Sequence, residues 1–219
     1  MSIIEFSHVT VTTLNKTLLA DCSFKLETGK KAVLCGKSGS GKSTVLKTLL
    51  GLNHLASGHV YFQNQQLNQT TITQIRSQSA YIGQEPLLGA DTVREALLLP
   101  FQFKVHRGNK PNDDALYSVL TRLQLPASIL EQSSHRVSGG EKQRIALARG
   151  LLLGKTVYLL DEVTSALDQI SKQAVFAIFT DPTLTVLSVA HDPDWIANCD
   201  LVLTLDAGRL VDHRYTRKH

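Results

Sequence analysis

Gly36-Lys37-Ser38-Gly39-Ser40-Gly41-Lys42-Ser43 follows the pattern G-x-x-x-x-G-K-[ST], and Thr44 comes next. Three glycines in so short a run let the backbone curl until successive N–H groups point at one anion. Lys42 adds a mobile ammonium, and the Ser43 hydroxyl is an oxygen donor for a hard divalent cation. Together these types suit a nucleoside polyphosphate: amides and ammonium take the β- and γ-phosphates, and the hydroxyl takes Mg²⁺. The apolar run Lys31–Cys35 precedes the loop and an amphipathic stretch, Ser43 to Leu52, follows it. That strand–loop–helix setting is what the pattern needs, because the helix N-terminus adds partial positive charge.

A second apolar run, Val157-Tyr158-Leu159-Leu160, ends in Asp161 and Glu162. Asp161 at a strand end can hold a Mg²⁺ shell, and Glu162 beside it can polarise an attacking water. Alone, two acids could equally be a polar strand end in a turn. Ser138-Gly139-Gly140-Glu141 opens a third candidate element. Ser138 with Glu141 three residues on is a capping box, so the run could be only a helix start. Two adjacent glycines go beyond what a cap requires and would let a phosphate approach the backbone closely.

The elements that must position these groups alternate along the chain. Strands are expected at Lys31–Cys35, His59–Gln63, Ala80–Gly83, Thr156–Leu160, Leu184–Val189, Leu201–Leu205 and Arg209–Val211. Helices are expected at Ser43–Leu52, Asp91–Leu99, Asp113–Leu123, Ser138–Leu153 and Leu167–Phe179. Alternation of this kind argues for an α/β fold with a mostly parallel sheet covered on both faces. The stretch from about Pro86 to Val137 is rich in helix signal and poor in strand signal, which marks an inserted helical subdomain at about 86–137 within a single domain, 1–219. A chain of 219 residues can bury about 70% of its unfolded surface without a metal or disulfide. At 42% hydrophobic and 19% charged residues it is not a disordered chain.

No apolar run reaches the ~18 residues of a membrane span, and Met1-Ser2-Ile3-Ile4-Glu5 lacks the basic start of a signal peptide. A soluble, cytoplasmic protein is expected. Cys22, Cys35 and Cys199 have no metal-ligand or CxxC spacing and read as small buried apolar residues. The net charge is +4, but Arg214, Arg217 and Lys218 stand in the last six residues, so the rest of the chain is near +1. A nucleic-acid groove would need a basic patch on the folded body, and no nucleic-acid partner is expected. The ending, His213–His219, reads as a solvated tail.

The set resembles the nucleotide-binding domain of ABC-type ATPases over nearly the whole chain. Gly36–Thr44 resembles the Walker A loop. Gln84, in Tyr81-Ile82-Gly83-Gln84-Glu85-Pro86, resembles the Q-loop glutamine, and Val137–Glu141 the family signature usually written LSGGQ. Leu159–Glu162 resembles Walker B with its catalytic glutamate, Ser165–Asp168 the D-loop, and His191 the switch histidine. The resemblance implies a P-loop NTPase core with N-terminal antiparallel β strands, and ATP and Mg²⁺ as the bound groups. ATP would be held by Gly36, Lys37, Ser38, Gly39, Ser40, Gly41, Lys42, Ser43 and Thr44 of one subunit. Ser138, Gly139, Gly140 and Asp168 of a second copy would close over it in a head-to-tail dimer. Ser43, Gln84 and Asp161 would surround Mg²⁺; Glu162, His191 and Gln84 would serve hydrolysis.

The resemblance further implies a separate transmembrane permease subunit as partner and a place on the cytoplasmic face of the inner membrane. A short helix of that subunit would enter a groove near Gln84 to Phe103, which includes Leu87, Leu88, Phe101 and Phe103; each of these could equally be lobe core. The stretches Asp91–Gln102 and Leu125–Leu130 are similar to one branch, the ATP-binding subunits of bacterial iron exporters of the YbbL or FetA type. No His, Cys, Asp or Glu cluster suggests that this chain binds iron itself. The pattern departs at three places. Val137 and Glu141 replace Leu and Gln of the signature. Thr13, in Val11-Thr12-Thr13-Leu14, stands where many relatives stack adenine on an aromatic residue, with only Phe6 nearby. Weaker or less base-selective nucleotide binding is expected.

Three rivals remain. A soluble ABC ATPase acting on DNA would carry a long insertion between Ser43 and Ser138, and a ribosomal one would carry two nucleotide domains. A nucleotide-sensing module without turnover would not need Glu162. A small-molecule kinase would leave Ser138–Gly140 and His191 unexplained.

Overall fold

The computed structural model describes residues 1–14 and 16–216. In chain order the elements are β1 (Ser2–Thr13), β2 (Lys16–Glu27), β3 (Lys31–Cys35), α1 (Lys42–Leu49), β4 (Leu55–Phe62), β5 (Gln65–Gln66), α2 (Gln69–Gln78), β6 (Ser79–Ile82), α3 (Val93–Leu98), α4 (Asp113–Arg122), α5 (Gly139–Leu152), β7 (Val157–Asp161), α6 (Gln169–Phe179), β8 (Thr185–Val189), α7 (Pro193–Ala197), β9 (Leu201–Asp206) and β10 (Arg209–Tyr215). Two compact units contain them. One comprises Met1–Ser79, Thr156–Glu162 and Pro182–His219; the other comprises Ala80–Lys155 and Val163–Asp181. The fold is α/β, as expected.

In the first unit, β9, β3, β8 and β7 lie side by side in parallel, and β10 adds antiparallel to β9. β7 and β8 are buried at every residue, the mark of strands covered on both faces. An antiparallel sheet runs in the order β2-β1-β4-β5. From Asp21 to Glu27, β2 alternates without a break and sends Cys22, Phe24 and Leu26 inward. Phe6 stacks on Phe24 at 4.7 Å between ring centroids. These side chains join Leu46 and Leu49 of α1, Leu159 of β7 and Leu203 of β9 in one apolar core. Burial pushes the Cys22 thiol up to about 11, with Asp21 adding to the effect, so it is the inert apolar cysteine the sequence suggests. Cys199 is also buried, but Cys35 is half-buried, its Sγ 3.8 Å from the Ala190 carbonyl oxygen.

The second unit is mostly helical. α3 opens on a capping box between Thr92 and Glu95, and Asn112 caps α4. Arg94 ties α3 to both sides, at 2.7 Å from Asp113 and 3.1 Å from Glu131. Leu97, Leu116, Leu120 and Ile145 are buried here. Of the basic ending, Arg214 lies on β10, while Arg217 and Lys218 fall outside the described residues. Among the described residues no helix is long and apolar enough to cross a membrane, and no group of three His, Cys, Asp or Glu is placed to hold a metal ion.

Candidate functional site

β3 delivers the chain into the glycine loop, and α1 leaves it with Gly41 as N-cap. Gly36, Gly39 and Gly41 all have positive φ, at 137°, 77° and 105°. Side chains disfavour that backbone, so the three glycines are what let the loop curl. Lys42 is buried, and its ammonium donates to the Gly36 carbonyl at 2.8 Å and the Lys37 carbonyl at 2.9 Å. The loop therefore carries its cation at its own centre. Lys37, Ser38 and Gly39 are exposed at the rim, while Ser40 is buried and its Oγ has no hydrogen-bond partner among the described residues. The Thr44 carbonyl, one turn into α1, accepts from Thr48 Oγ1 at 2.7 Å and Asn53 Nδ2 at 3.3 Å.

β7 brings its terminal acids to this loop. Ser43 Oγ donates to Asp161 Oδ1 at 3.0 Å. Burial pushes the Asp161 carboxyl above its ordinary value; the Ser43 hydrogen bond opposes this, and the Glu162 charge adds to it. Two hard oxygen donors at the end of a phosphate-type loop, one of them a carboxylate raised by desolvation, are a donor set that suits Mg²⁺. Glu162 sits at φ 54°, a left-handed conformation unusual for a side chain of this size. Its N–H donates to the Val189 carbonyl at 2.9 Å. Its Oε1 lies 3.5 Å from Nε2 of His191, in the segment between β8 and α7. The first unit thus gathers Lys42, Ser43, Asp161, Glu162 and His191.

Gln84, Ser138, Gly139, Gly140 and Asp168 belong to the second unit. Gln84 is exposed. The segment it occupies is fastened to α5 by two residues that sequence reasoning missed. Gln143 Nε2 donates to the Gly83 carbonyl at 3.3 Å, and the Arg149 guanidinium donates to the Leu88 and Leu87 carbonyls at 3.0 and 3.2 Å. Both grips are on main-chain oxygens, which leave no mark in a sequence. The capping box at the start of α5 is formed: Glu141 N–H donates to Ser138 Oγ, and Ser138 N–H donates to Glu141 Oε2 at 2.7 Å. Those Ser138 hydrogen bonds hold the Glu141 carboxyl below its ordinary value.

The two glycines differ in surroundings. A Cβ at Gly139 would meet nothing within 4 Å, whereas one at Gly140 would lie 2.9 Å from the Ala166 carbonyl oxygen. Gly140 is therefore small for the sake of its own chain, and Gly139 is the open one. Asp168 caps α6, its Oδ1 accepting from Ser171 N–H at 2.7 Å, and that bond holds its carboxyl below the usual range. The four apolar residues of the expected groove divide evenly: Leu88 and Phe101 are buried, Leu87 and Phe103 exposed. Thr13 is exposed with Oγ1 donating to the Lys16 carbonyl. Phe6 is 1% exposed and has no face to offer a base.

Residues 19–165 match the family model described as ABC transporter. The "Probable iron export ATP-binding protein FetA" of Escherichia coli is 37% identical over 90% of this chain and 89% of its own length. The "Heavy metal tolerance protein" of Schizosaccharomyces pombe is 31% identical over 94% of this chain, which spans 26% of that protein. A dimeric bacterial ABC transporter cassette superposes with a TM-score of 0.86 at 25% identity, covering 99% of this chain and all of the other. A bacterial Atm1-family ABC exporter with ATP bound superposes with a TM-score of 0.82 at 27% identity, covering 97% of this chain and 38% of the exporter.

Proposed function

This chain belongs to the ABC transporter family as an ATP-binding cassette, and from that premise we propose that it hydrolyses ATP to power a separate transmembrane permease, working as a head-to-tail pair of copies. The observation that carries the catalytic reading is the 3.0 Å hydrogen bond from Ser43 to Asp161. It joins the end of the glycine loop to the end of β7, where a phosphate and its counter-ion must meet.

In this reading Gly36–Thr44 wraps the triphosphate, and the Lys42 ammonium, held by two loop carbonyls, turns its remaining N–H to phosphate oxygens. Ser43 and Asp161, with Gln84, would hold Mg²⁺, which when bound neutralises charge on the β- and γ-phosphate oxygens. Glu162 orients a water and takes its proton as the water oxygen bonds to the γ-phosphorus and the bond to the ADP oxygen breaks. His191 steadies that carboxylate and reaches the γ-phosphate. Ser138, Gly139, Gly140 and Asp168 of the second copy complete the site, so that binding closes the pair and hydrolysis opens it.

Exposed Leu87 and Phe103, on the helical lobe at about 86–137, fit the surface that meets the permease, on the cytoplasmic face of the inner membrane. The likeness to the Escherichia coli protein supports iron export as the process driven. The test is a mild-detergent purification of the tagged chain from its own cells. A polytopic membrane protein recovered at about one to one supports the transporter, and its cavity can then be assayed for metal. Ribosomal or DNA partners, or none, with Mg-ATP hydrolysis intact, leave an ATPase and end the transport reading.

A further inference from the structure

The turn between β9 and β10 reaches the glycine loop. Ala207 and Gly208 have φ of 44° and 81°, two successive left-handed residues as in a type I′ hairpin turn. Gly208 is buried. Its N–H donates to the Ser40 carbonyl at 3.0 Å, and its own carbonyl accepts from Ala20 N–H at 2.8 Å. One residue thus bridges the glycine loop and β2. There is no space to spare around it. A Cβ at Gly208 would stand 2.8 Å from the Leu18 carbonyl oxygen, and one at Gly41 would stand 2.8 Å from the same oxygen. At the loop's other end, a Cβ at Gly36 would overlap the Leu205 carbonyl oxygen.

A loop that aims its N–H groups at an anion must turn carbonyls back into the protein, where each needs a donor. Ser40 is buried, and Gly208 supplies the donor for its carbonyl. The bond fixes the Ser40–Gly41 peptide plane, and with it the direction of the N–H groups at the start of α1. We propose that Gly208 is a positioning residue for nucleotide binding: it touches no nucleotide, and sets the aim of the loop through Ser40. The inference rests on the reading of Gly36–Thr44 as the nucleotide site.

The test compares Gly208→Ala with Gly58→Ala in the full chain. Gly58 has φ 80°, and a Cβ there would overlap the His8 carbonyl oxygen, so it carries the same kind of backbone strain and heavier crowding away from the loop, in β4. ATP affinity with Mg²⁺ is read by calorimetry, and thermal midpoints are read without nucleotide. Both variants should melt earlier. Gly208→Ala keeps the N–H, but its Cβ would push the turn off the Leu18 carbonyl oxygen and away from Ser40, so this variant alone should also bind ATP about five- to tenfold more weakly, the scale of one hydrogen bond lost. Affinity unchanged in Gly208→Ala, or lowered equally in both, overturns the proposal. Lys42→Ala separates the two levels. If it loses ATP while Gly208→Ala does not, only the positioning role falls; if it binds ATP like the unaltered chain, the reading of the loop falls and the proposal with it. Should Gly208→Ala fail to fold, hydrogen exchange on the unaltered chain decides. The Gly208 amide should exchange slowly without nucleotide and more slowly with ATP; exchange as fast as that of Gly39 overturns the proposal.

Discussion

Glu162 and His191 meet with Oε1 and Nε2 3.5 Å apart, and the Glu162 amide is tied to Val189, two residues before that histidine. Carboxylate and imidazole are therefore held from the same end of β8. In the proposed mechanism Glu162 is the general base, a role that calls for a positioned carboxylate, and these two contacts help to position it. Replacing Glu162 by Gln keeps the shape and removes the proposed base. Hydrolysis should fall by about 10²–10⁴-fold while ATP binding persists, so that an ATP-bound dimer accumulates on size exclusion. Unchanged turnover would remove Glu162 from the role of base.

Ser43→Ala deletes the hydroxyl that reaches Asp161. Binding of ATP without metal should stay within about twofold, whereas the Mg²⁺ concentration for half-maximal hydrolysis should rise about tenfold or more, because a lost oxygen donor weakens a hard-cation site. A titration of activity against Mg²⁺ at saturating ATP reads this directly. An unaltered metal requirement would argue that Ser43 only caps the acid.

The reciprocal cap at the start of α5 has a stability signature. Ser138→Ala should cost about 1 kcal/mol in urea unfolding. Because Glu141 is held below its ordinary value of 4.5, its contribution is complete above that value and is lost as pH falls through the lower folded-state value. The unaltered chain should therefore lose stability on acidification below pH 4.5 more steeply than Glu141→Gln. Parallel acid profiles for the two would show that the carboxylate adds nothing beyond the amide.

Base selection should be lax. Thr13 offers no ring and Phe6 is sealed in the core, so neither supplies the ~0.5–1.5 kcal/mol of a stacked base. ATP and GTP should compete for the site with affinities within about tenfold of each other. Displacement of a fluorescent ATP analogue by each nucleotide measures the ratio; a hundredfold preference for ATP would point to an adenine contact elsewhere.

Arg149 grips two carbonyls from the last turn of α5, and burial pushes its guanidinium below the usual arginine value. Arg149→Met keeps the length and deletes the donors. It should lower stability by about 1–3 kcal/mol, since two acceptors lose their partner. Peptides covering Gly83 to Gly89 should exchange amide hydrogens faster than in the unaltered chain. Unchanged exchange there would show that Gln143 alone holds the segment.

What could be read from the residues, and what could not, divides along physical lines. β3, α1, β7 and β8 are legible because each pairs an unbroken apolar run or a clear amphipathic face with a motif at its end. α2 was not, because Gln69–Gln78 is mostly Gln, Thr and Ser, and only Thr71 and Ile75 are buried. β1 and β2 follow from the resemblance rather than from periodicity: bulges at several points of their pairing break the alternation. His8 and Asp21 take left-handed conformations at such points. The site shows the same division. Glycines, the lysine and the acids announce themselves by type, while Gln143, Arg149 and Gly208 work through main-chain oxygens and can be found only in three dimensions.

Two acceptors of the Lys42 ammonium are supplied by the loop it belongs to. An ammonium has three N–H donors, so in the proposed site one is left to meet an anionic phosphate oxygen while the two carbonyls keep theirs. The gain at this lysine would then come from a charge-assisted bond added at a point the loop already fixes. Affinity at this lysine should accordingly scale with the charge on the phosphate chain and weaken as salt screens it. In that reading a guest with little negative charge would gain little at the ammonium, which would make the loop a counter of phosphates before it is a reader of bases.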